Sequence, residues 1–456
     1  MGCQQGSGRP LPSPRLHRRG RGPTVRADAM EAPTTTTRPW NWIPSLYFCQ
    51  AVPYVAVVAL SVPLYKKLGV SNTDIALYTS WLYLPWVIKP LWAPFVDRVG
   101  TKRGWIVALQ FFIGAALAAV ALTIPGPHFF RWSLAVFWLV AFSAATHDIV
   151  SDGFYLLSLS PAEGAAWVGV RSTFFRLANI AGQGGLVYLA GVLEESTGRI
   201  AIAWAWIFVP PAVVFVLAAT YHQFFLPRPA RDGPAARSAD AMIDWGEAFA
   251  TFLRRPDIKP ALAYLLLFRL GEAQMLKLVP PFLLDSRAAG GLGLTTKEAG
   301  LAYGTFGIIA LTVGGLFGGP AVARYGLKRM LWPMILAVHV PNLAYVALAV
   351  WRPENFAVAC AAVSAEQFGY GFGFTAYVVY MMMLAEGEHR TAHYAICTGF
   401  MALGMMVPGM WAGWLQEKLG YANFFIWVCV ATLPSLWATA RIPVDPGYAR
   451  KTPAPH

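Results

Sequence analysis

The chain has 456 residues, of which 56% are hydrophobic, 14% aromatic and only 13% charged, and its mean hydropathy is +0.48. Soluble domains carry about 25% charged residues, so this composition excludes an ordinary soluble protein. The net charge of +13 does not indicate nucleic-acid binding, because Lys and Arg cluster in particular loops and form no stripe on a soluble face. The composition is typical of a polytopic membrane protein.

The chain begins with a segment, 1–29, that is rich in Gly, Pro and Arg and lacks the apolar core of a secretory signal. We interpret 1–43 as an N-terminal tail, in which Met30 is a more natural start. The five cysteines lie far apart, without a CxxC pair or metal-ligand spacing. They are predicted to be reduced packing residues, and neither a metal nor another cofactor is expected.

Successive apolar stretches are about 20 to 28 residues long, enough for a helix to cross about 30 Å of hydrocarbon. The first predicted spans are 44–66, 74–97, 104–125, 131–157, 164–193 and 202–226. A polar linker follows at 227–256, with an amphipathic stretch near 245–253. The remaining spans are 257–284, 297–322, 329–350, 356–385, 391–417 and 422–441, before a tail at 442–456. The sequence predicts an all-α membrane protein of twelve helices in two halves, 44–226 and 257–441.

The two halves share a sequence repeat. After the second span the chain reads DRVGTKR at 97–103, and after the eighth it reads ARYGLKR at 323–329. The helices that lead into these loops both start with candidate capping boxes, at Ser71 and Thr295. Duplication of a six-helix unit is the simplest explanation.

Basic residues set the expected orientation. The loops near 98–103, 228–259 and 324–329 and the C-terminal tail fall on one side and hold about twice as many Lys and Arg as the other side. By the positive-inside rule, both termini and the linker are expected to face the cytoplasm.

Twelve helices, a central linker and the loop at 97–103 together resemble the major facilitator superfamily. Three further segments resemble the AmpG-type muropeptide permeases within it: AATHDIVSD at 144–152, FRLGEA at 268–273 and EQFGYGFG at 366–373. His147 stands where that group more often has Gln. The resemblance extends from about Arg38 to Arg441. It implies proton-driven import of anhydromuropeptides, which are sugar-peptides from the cell wall, across a bacterial inner membrane by a monomer; the related acetyl-CoA transporters share the fold.

Charged residues within the predicted spans are candidates for transport, because each costs roughly 2.5 to 3.5 kcal/mol on insertion scales. They are Lys89, Asp148, Asp152, Arg171, Arg176, Arg269, Glu272, Lys277 and Glu366.

Asp148 and Asp152 are four residues apart, which places both carboxylates on one face of the fourth helix. Two such acids in a low-dielectric site cannot easily both be ionised, so one of them is expected to hold a proton near physiological pH. Proton coupling requires such a group. Alternatively, each pairs with an arginine of the fifth helix, Arg171 or Arg176, and has a structural role. His147, next to Asp148, is a candidate proton relay.

Arg269 and Glu272, three residues apart, are expected to pair within the seventh helix and to leave Lys277 free. Lys277, Arg176 and Lys89 are candidate anchors for an anionic substrate, or structural partners of acids. Glu366, deep in the tenth helix and followed by alternating glycines, is a further candidate for the substrate site or for a hinge, although close helix packing is the commoner reason for such glycines.

The loop residues Asp97, Arg98, Lys102 and Arg103 are interpreted as a gating latch, an ion-paired contact near helix ends that breaks when the halves rock. The alternative is that their charges only set topology.

The expected function is proton-coupled import of a sugar-peptide by alternating access. An acetyl-CoA or other organic-anion carrier is the alternative within transport, and it would need a broad cationic cavity. A polytopic enzyme or receptor is a further alternative. A membrane enzyme would be expected to show clustered histidines or a serine with its base, and the sequence shows neither.

Overall fold

The structure is a computed structural model that describes residues 38–159, 161–229, 232–233, 245–386 and 390–449. Every regular element within these residues is helical. Most of the predicted N-terminal tail and the end of the C-terminal tail lie outside them.

Six helical rods precede the linker. They are α1 (Pro39–Lys67), α2 (Asn72–Trp81 and Leu84–Arg98), α3 (Lys102–Thr123), α4 (Phe129–Ser158), α5 (161–197) and α6 (Ile200–Phe225). The amphipathic stretch in the linker is a helix, Trp245–Leu253, as expected. The second six are α7 (Ile258–Leu267 and Leu270–Leu284), α8 (Thr296–Tyr325), α9 (Leu327–Trp351), α10 (Phe356–Leu384), α11 (390–419) and α12 (421–439). Gly420, with φ +72°, separates the last two.

Seven helical segments are long and apolar enough to cross a membrane by length and composition alone. They correspond to α1, α3, α4, α6, α8, α9 and the segment Ala412–Thr439, which contains α12. The other rods are interrupted or carry more polar residues. α2 breaks after Trp81, and α7 breaks at Phe268 and Arg269.

Each half has an aromatic core of its own. In the first half, Phe137, Trp204 and Phe208 are fully buried between α4 and α6. In the second half, the rings of Phe268 and Tyr377 stack with centroids 4.4 Å apart. Each half therefore has a packed interior of its own, and the surface where the halves meet is not needed to form either core.

The repeated loops share a glycine with a positive φ. Gly100 in the first loop and Gly326 in the second have φ values of +64° and +82°, a region that suits glycine because it has no Cβ. The predicted caps are also present: the Ser71 hydroxyl accepts from the Asp74 N–H, and Thr295 and Glu298 form a capping box. We call the end of the bundle that carries these two loops the basic end.

At the opposite end, polar contacts join the halves. Their members are Lys66–Asp285 (2.7 Å), Lys297–Glu195 (2.7 Å), Thr296–Glu194 (2.7 Å), Asn72–Gln416 (2.6 Å) and Thr73–Glu417 (2.6 Å). We name this set the opposite-end gate. Glu194 also accepts from Lys67 and from the Trp204 indole, so one carboxylate holds several elements. The structure therefore has its halves closed together at the end away from the basic loops.

Glycine allows the closest approach within this gate. A Cβ added to Gly413 would lie 1.8 Å from the carbonyl oxygen of Asn72, across the two halves. Likewise, a Cβ on Gly304 of α8 would lie 2.1 Å from the carbonyl oxygen of Gln183 in α5. Closure at this end thus brings backbones so close that a larger residue at Gly413 or Gly304 would disfavour it.

Gly413→Ala is expected to open the opposite-end gate. Overpacking costs about 1–3 kcal/mol, which would change the ratio of closed to open states about 5- to 150-fold. The measurement is alkylation of a Val58→Cys side chain, which lines the cavity described below, by a membrane-impermeant maleimide added at that end, after replacement of the five native cysteines.

Gly319→Ala in α8 is the matched control, because no atom lies within 4 Å of its added Cβ. Equal labelling in Gly413→Ala, Gly319→Ala and the parent protein would contradict the steric role of Gly413.

Candidate functional site: a polar cavity between the halves

A cavity of about 580 Å³ lies between the two halves. The first half supplies polar side chains from α1, α2 and α5, and the second half supplies them from α7, α8 and α10. The polar and aromatic residues of its lining include Tyr47, Gln50, Tyr54, Tyr83, Arg171, Arg176, Asn179, Gln183, Arg269, Lys277, Tyr303, Gln367, Tyr370 and Phe374. This volume falls within the range of sites for small molecules, about 300–1,000 Å³.

Arg171 lines the cavity and forms an ion pair within the first half. Its guanidinium lies 3.0 Å from Asp152 on α4 and 4.4 Å from the centroid of the Tyr47 ring. The Tyr47 hydroxyl donates to the same carboxylate over 3.4 Å. The Asp152 side chain is 45% exposed, so water reaches this pair. The alternative expectation, an aspartate paired with an arginine of the fifth helix, matches the geometry at Asp152.

Asp148 has different partners from Asp152, although both carboxylates share one helix. The indole N–H of Trp86 donates to Asp148 over 2.9 Å, and Lys89 attracts the carboxylate electrostatically. Both residues belong to α2. Lys89 itself is not among the residues that line the cavity.

His147 is fully buried and is directed away from the cavity. The Gln110 amide nitrogen contacts His147 Nε2 (3.2 Å), the Gln110 carbonyl contacts His222 Nδ1 (2.8 Å), and Ser45 contacts His222 Nε2 (2.9 Å). The Gln110 amide separates the two imidazoles and carries no proton between them. The structure therefore does not bring His147 to the two aspartates, because adjacent helical residues point about 100° apart.

The second half compensates Arg269 locally. Arg269 Nη2 lies 2.6 Å from Glu272 Oε1, as the spacing of three residues predicted, and 2.7 Å from the Tyr370 hydroxyl. Arg269 lines the cavity at the break in α7, whereas Glu272 lies behind it. The pair forms within one helix and one half.

Lys277 was expected to be free, and the structure corrects that expectation in part. Its ammonium donates to the Thr79 hydroxyl over 2.9 Å and lies 5.1 Å from the centroid of the Tyr83 ring, both on α2 of the other half. Among the described residues no carboxylate lies within ion-pair distance of Lys277. The Lys277 amine is thus held by neutral groups of the first half and lines the cavity.

Arg176 is the corresponding cation of the first half. Its guanidinium donates to the Thr312 hydroxyl of α8 over 3.3 Å, and the described residues offer it no carboxylate partner. Arg176 and Lys277 are therefore two basic side chains, one from each half, that have no carboxylate partner among the described residues, and each contacts the other half through a threonine.

Glu366 lies outside the lining, in the interior of the second half. Its neighbour Gln367 does line the cavity, and the Gln367 amide donates to the Glu366 carboxylate over 2.9 Å. The substrate role expected for Glu366 would therefore act through Gln367 and not by direct contact.

The latch loop has partners at the basic end. The carboxylate of Asp232 in the linker accepts from the backbone N–H groups of Lys102 (2.7 Å) and Arg103 (3.0 Å), and the Arg103 guanidinium contacts the Gln223 carbonyl. A carboxylate at this position also complements the dipole of α3. The side chains of Asp97 and Arg98 lie outside the described part of the chain, so the latch stays a prediction.

Several cavity residues were missed in the sequence, notably Tyr47, Tyr54 and Gln50. Their signal was available: Tyr47 and Tyr54 are seven residues apart and share one face of the first span. Residues of the opposite-end gate were missed as well, and their pairing across the halves has no signature in local sequence.

Residues 45–290 match the family model described as Major Facilitator Superfamily, which is more than half of the chain. The chain therefore belongs to that superfamily, and it is an integral membrane transporter, not an enzyme.

Among known proteins, it is 27% identical over 358 residues to the anhydromuropeptide permease of Escherichia coli (strain K12), covering 77% of this chain and 69% of the relative. The resemblance to AmpG-type permeases is thus confirmed. The solved structure of the nucleoside transporter NupG shares the fold, with a TM-score of 0.66 and 14% identity, and the match covers 88% of this chain and 98% of NupG. A bacterial homolog of the human lysosomal transporter Spinster, in an inward-facing, unoccupied conformation, shares it too. Its TM-score is 0.64 and its identity 17%, and the match covers 90% of this chain and 97% of the homolog.

Proposed function

We propose that this transporter couples proton entry to the import of an anionic sugar-peptide of the anhydromuropeptide class, by alternating access across a bacterial inner membrane. The observation that carries the proposal is the pair of uncompensated cations, Arg176 and Lys277, which face one cavity from opposite halves. Carboxylates of a peptide would satisfy both charges at once and draw the halves together around the solute.

The rest of the lining suits the sugar. Tyrosines from both halves supply flat apolar faces with hydroxyl groups, and Gln50, Asn179, Gln183 and Gln367 supply amides. Ring stacking and hydrogen bonds of this kind are how polar, rigid solutes are held. The curated relative named for anhydromuropeptides supports the same substrate class.

The charge balance favours a sugar-peptide over acetyl-CoA or a similar organic anion. Among the described residues, four basic side chains line the cavity, but Asp152 compensates Arg171 and Glu272 compensates Arg269. The remaining two suit a solute with a few carboxylates and fall short of the broad cationic surface that several phosphates require.

The proton sites in this proposal are Asp148 and Asp152. They lie one turn apart on α4 and have different partners, Trp86 for Asp148 and Arg171 for Asp152. Asp152 lies close to the basic end and is open to water. When it binds a proton, it loses its negative charge and with it the ion pair to Arg171. Release of Arg171 on protonation would give the cavity a further cation for the solute, which links the proton to the substrate.

We assign the basic end to the cytoplasm by the positive-inside rule. The opposite-end gate then faces the periplasm, and the structure represents the state that is closed to the periplasm.

The test is uptake of a labelled N-acetylglucosaminyl-anhydro-N-acetylmuramyl tripeptide into proteoliposomes, with and without an inward proton gradient. The expected result is accumulation above the outside concentration that collapses when a protonophore is added. Equal uptake with and without the gradient would contradict proton coupling. No uptake under either condition would contradict the substrate assignment.

A further inference from the structure

Glu366 in α10 is a buried acid without a cationic partner. Its relative exposure is 1%, and its carboxylate accepts from the Gln367 amide (2.9 Å) and the Tyr345 hydroxyl (3.4 Å). Among the described residues, no Lys, Arg or His lies within ion-pair distance. The hydrogen-bond partners of its carboxylate are therefore neutral groups.

The contrast with Glu272 in the same half makes this unusual. Both acids are almost fully buried, but two nitrogens of Arg269 hold Glu272, at 2.6 and 3.3 Å. A buried carboxylate needs such a counter-charge to stay ionised, and without one the neutral acid is favoured. The same residue type thus serves two purposes: a fixed charge in Glu272 and a group able to carry a proton in Glu366.

The titratable groups that act on Glu366 come from each element packed around it. They are Tyr345 of α9, Tyr303 of α8, Tyr370 of α10 and Glu272 of α7. The tyrosines are neutral, and the charge of Glu272 is held by Arg269. His339 of α9 is bonded to Ser435 of α12 instead. None of these groups replaces the missing cation.

Glu366 is connected to the cavity. Gln367, which donates to its carboxylate, and Tyr303 both line the cavity. A second observation concerns α9: Asn342, three residues before Tyr345 on the same helix face, is 1% exposed and has both amide atoms without a hydrogen-bond partner among the described residues. This region of the second half therefore has unused polar capacity in the present state.

We infer that Glu366 is a second proton-carrying residue of the transport cycle, placed in the second half behind Gln367. The inference rests on the proposed proton-coupled function and extends it from α4 to α10. In the state described here Glu366 holds its proton. When water from the cavity reaches Glu366 past Gln367, the carboxyl group gains polar contacts and releases its proton to that water, with no other bond formed or broken.

The experiment is infrared difference spectroscopy of the purified full-length protein as the pH is raised, in an Asp148→Asn, Asp152→Asn background that removes the two acids proposed above as proton sites. No solute is added. The expected result is a carboxylic-acid C=O band that is present at neutral pH, disappears at alkaline pH, and is lost entirely in Glu366→Gln. Glu354→Gln, the same change at an exposed glutamate, should leave the band unchanged.

Tyr345→Phe provides an independent check, because it removes one hydrogen bond from the same carboxyl group and should shift the frequency of the band without removing it. A band that neither variant alters, or its absence from the parent protein, would overturn the inference. Since the measurement uses no substrate, failure of muropeptide uptake would overturn the proposed function separately and leave this result intact.

Discussion

Asp148→Asn is expected to abolish uphill accumulation of the solute and to leave its downhill exchange intact. One pH unit across the membrane is worth about 1.4 kcal/mol for each proton carried, or about a tenfold accumulation. Without the titratable carboxyl the internal solute should therefore only equal the external solute. The Asn side chain can still accept from Trp86, which preserves the contact to α2.

The measurement compares gradient-driven uptake with counterflow in the same proteoliposomes. Asp445→Asn is the matched control, since that carboxylate is exposed and lies outside the helices. Asp152→Asn should also lose accumulation, and because it releases Arg171, it should in addition change the affinity for the solute. Normal uphill uptake in both α4 variants would remove these aspartates from proton coupling.

Lys277→Met is expected to raise the KM for a carboxylate-bearing solute roughly 10- to 100-fold. Hydrogen bonds to charged groups contribute about 1.5–3 kcal/mol, and about 1.4 kcal/mol corresponds to a factor of ten. Methionine preserves the length and the packing against Tyr83 but removes the charge. A neutral sugar analogue without the peptide should be transported with little change, because it makes no contact with this charge.

Lys259→Met is the control for this change: it removes an exposed lysine near the start of the same helix and should leave both KM values unaltered. Lys277→Arg should recover part of the preference for the charged solute. If Lys277→Met weakened the charged and the neutral solute equally, Lys277 would be a structural residue that joins α7 to α2.

Much of the helical framework was predictable because it depends on local pattern. Helix bounds agree with the apolar stretches to within a few residues, and the Arg269–Glu272 pair follows from a spacing of three residues on one helix. The caps at Ser71 and Thr295 are equally local. Signals of this kind need no knowledge of which helices become neighbours.

The surroundings of the site depend on neighbours and were less accessible. Lys277 is solvated by Thr79 from the other half, and nothing in the sequence around either residue indicates that contact. His147 follows its own helix face into the core of the first half, although it adjoins Asp148 in the chain. Sequence proximity was a poor guide at this position because helical periodicity separates adjacent side chains.

The helices that fall short of the apolar criterion also line the cavity. α2, α5, α7, α10 and α11 each contribute to it. Polar residues that weaken a helix as a lipid-exposed span are tolerated where they face a water-filled space. Low hydropathy does not mark every such helix, because α1 and α8 meet the apolar criterion and also line the cavity.

The local pairing of Arg269 with Glu272 also bears on how the chain enters the membrane during synthesis. α7 carries these two opposite charges three residues apart, so they neutralise each other as soon as the helix forms and lower the cost of its insertion. Lys277 finds its hydroxyl partner only on α2, which is made much earlier. Docking of α7 on the first half therefore gives Lys277 a polar partner that the newly made helix lacks by itself.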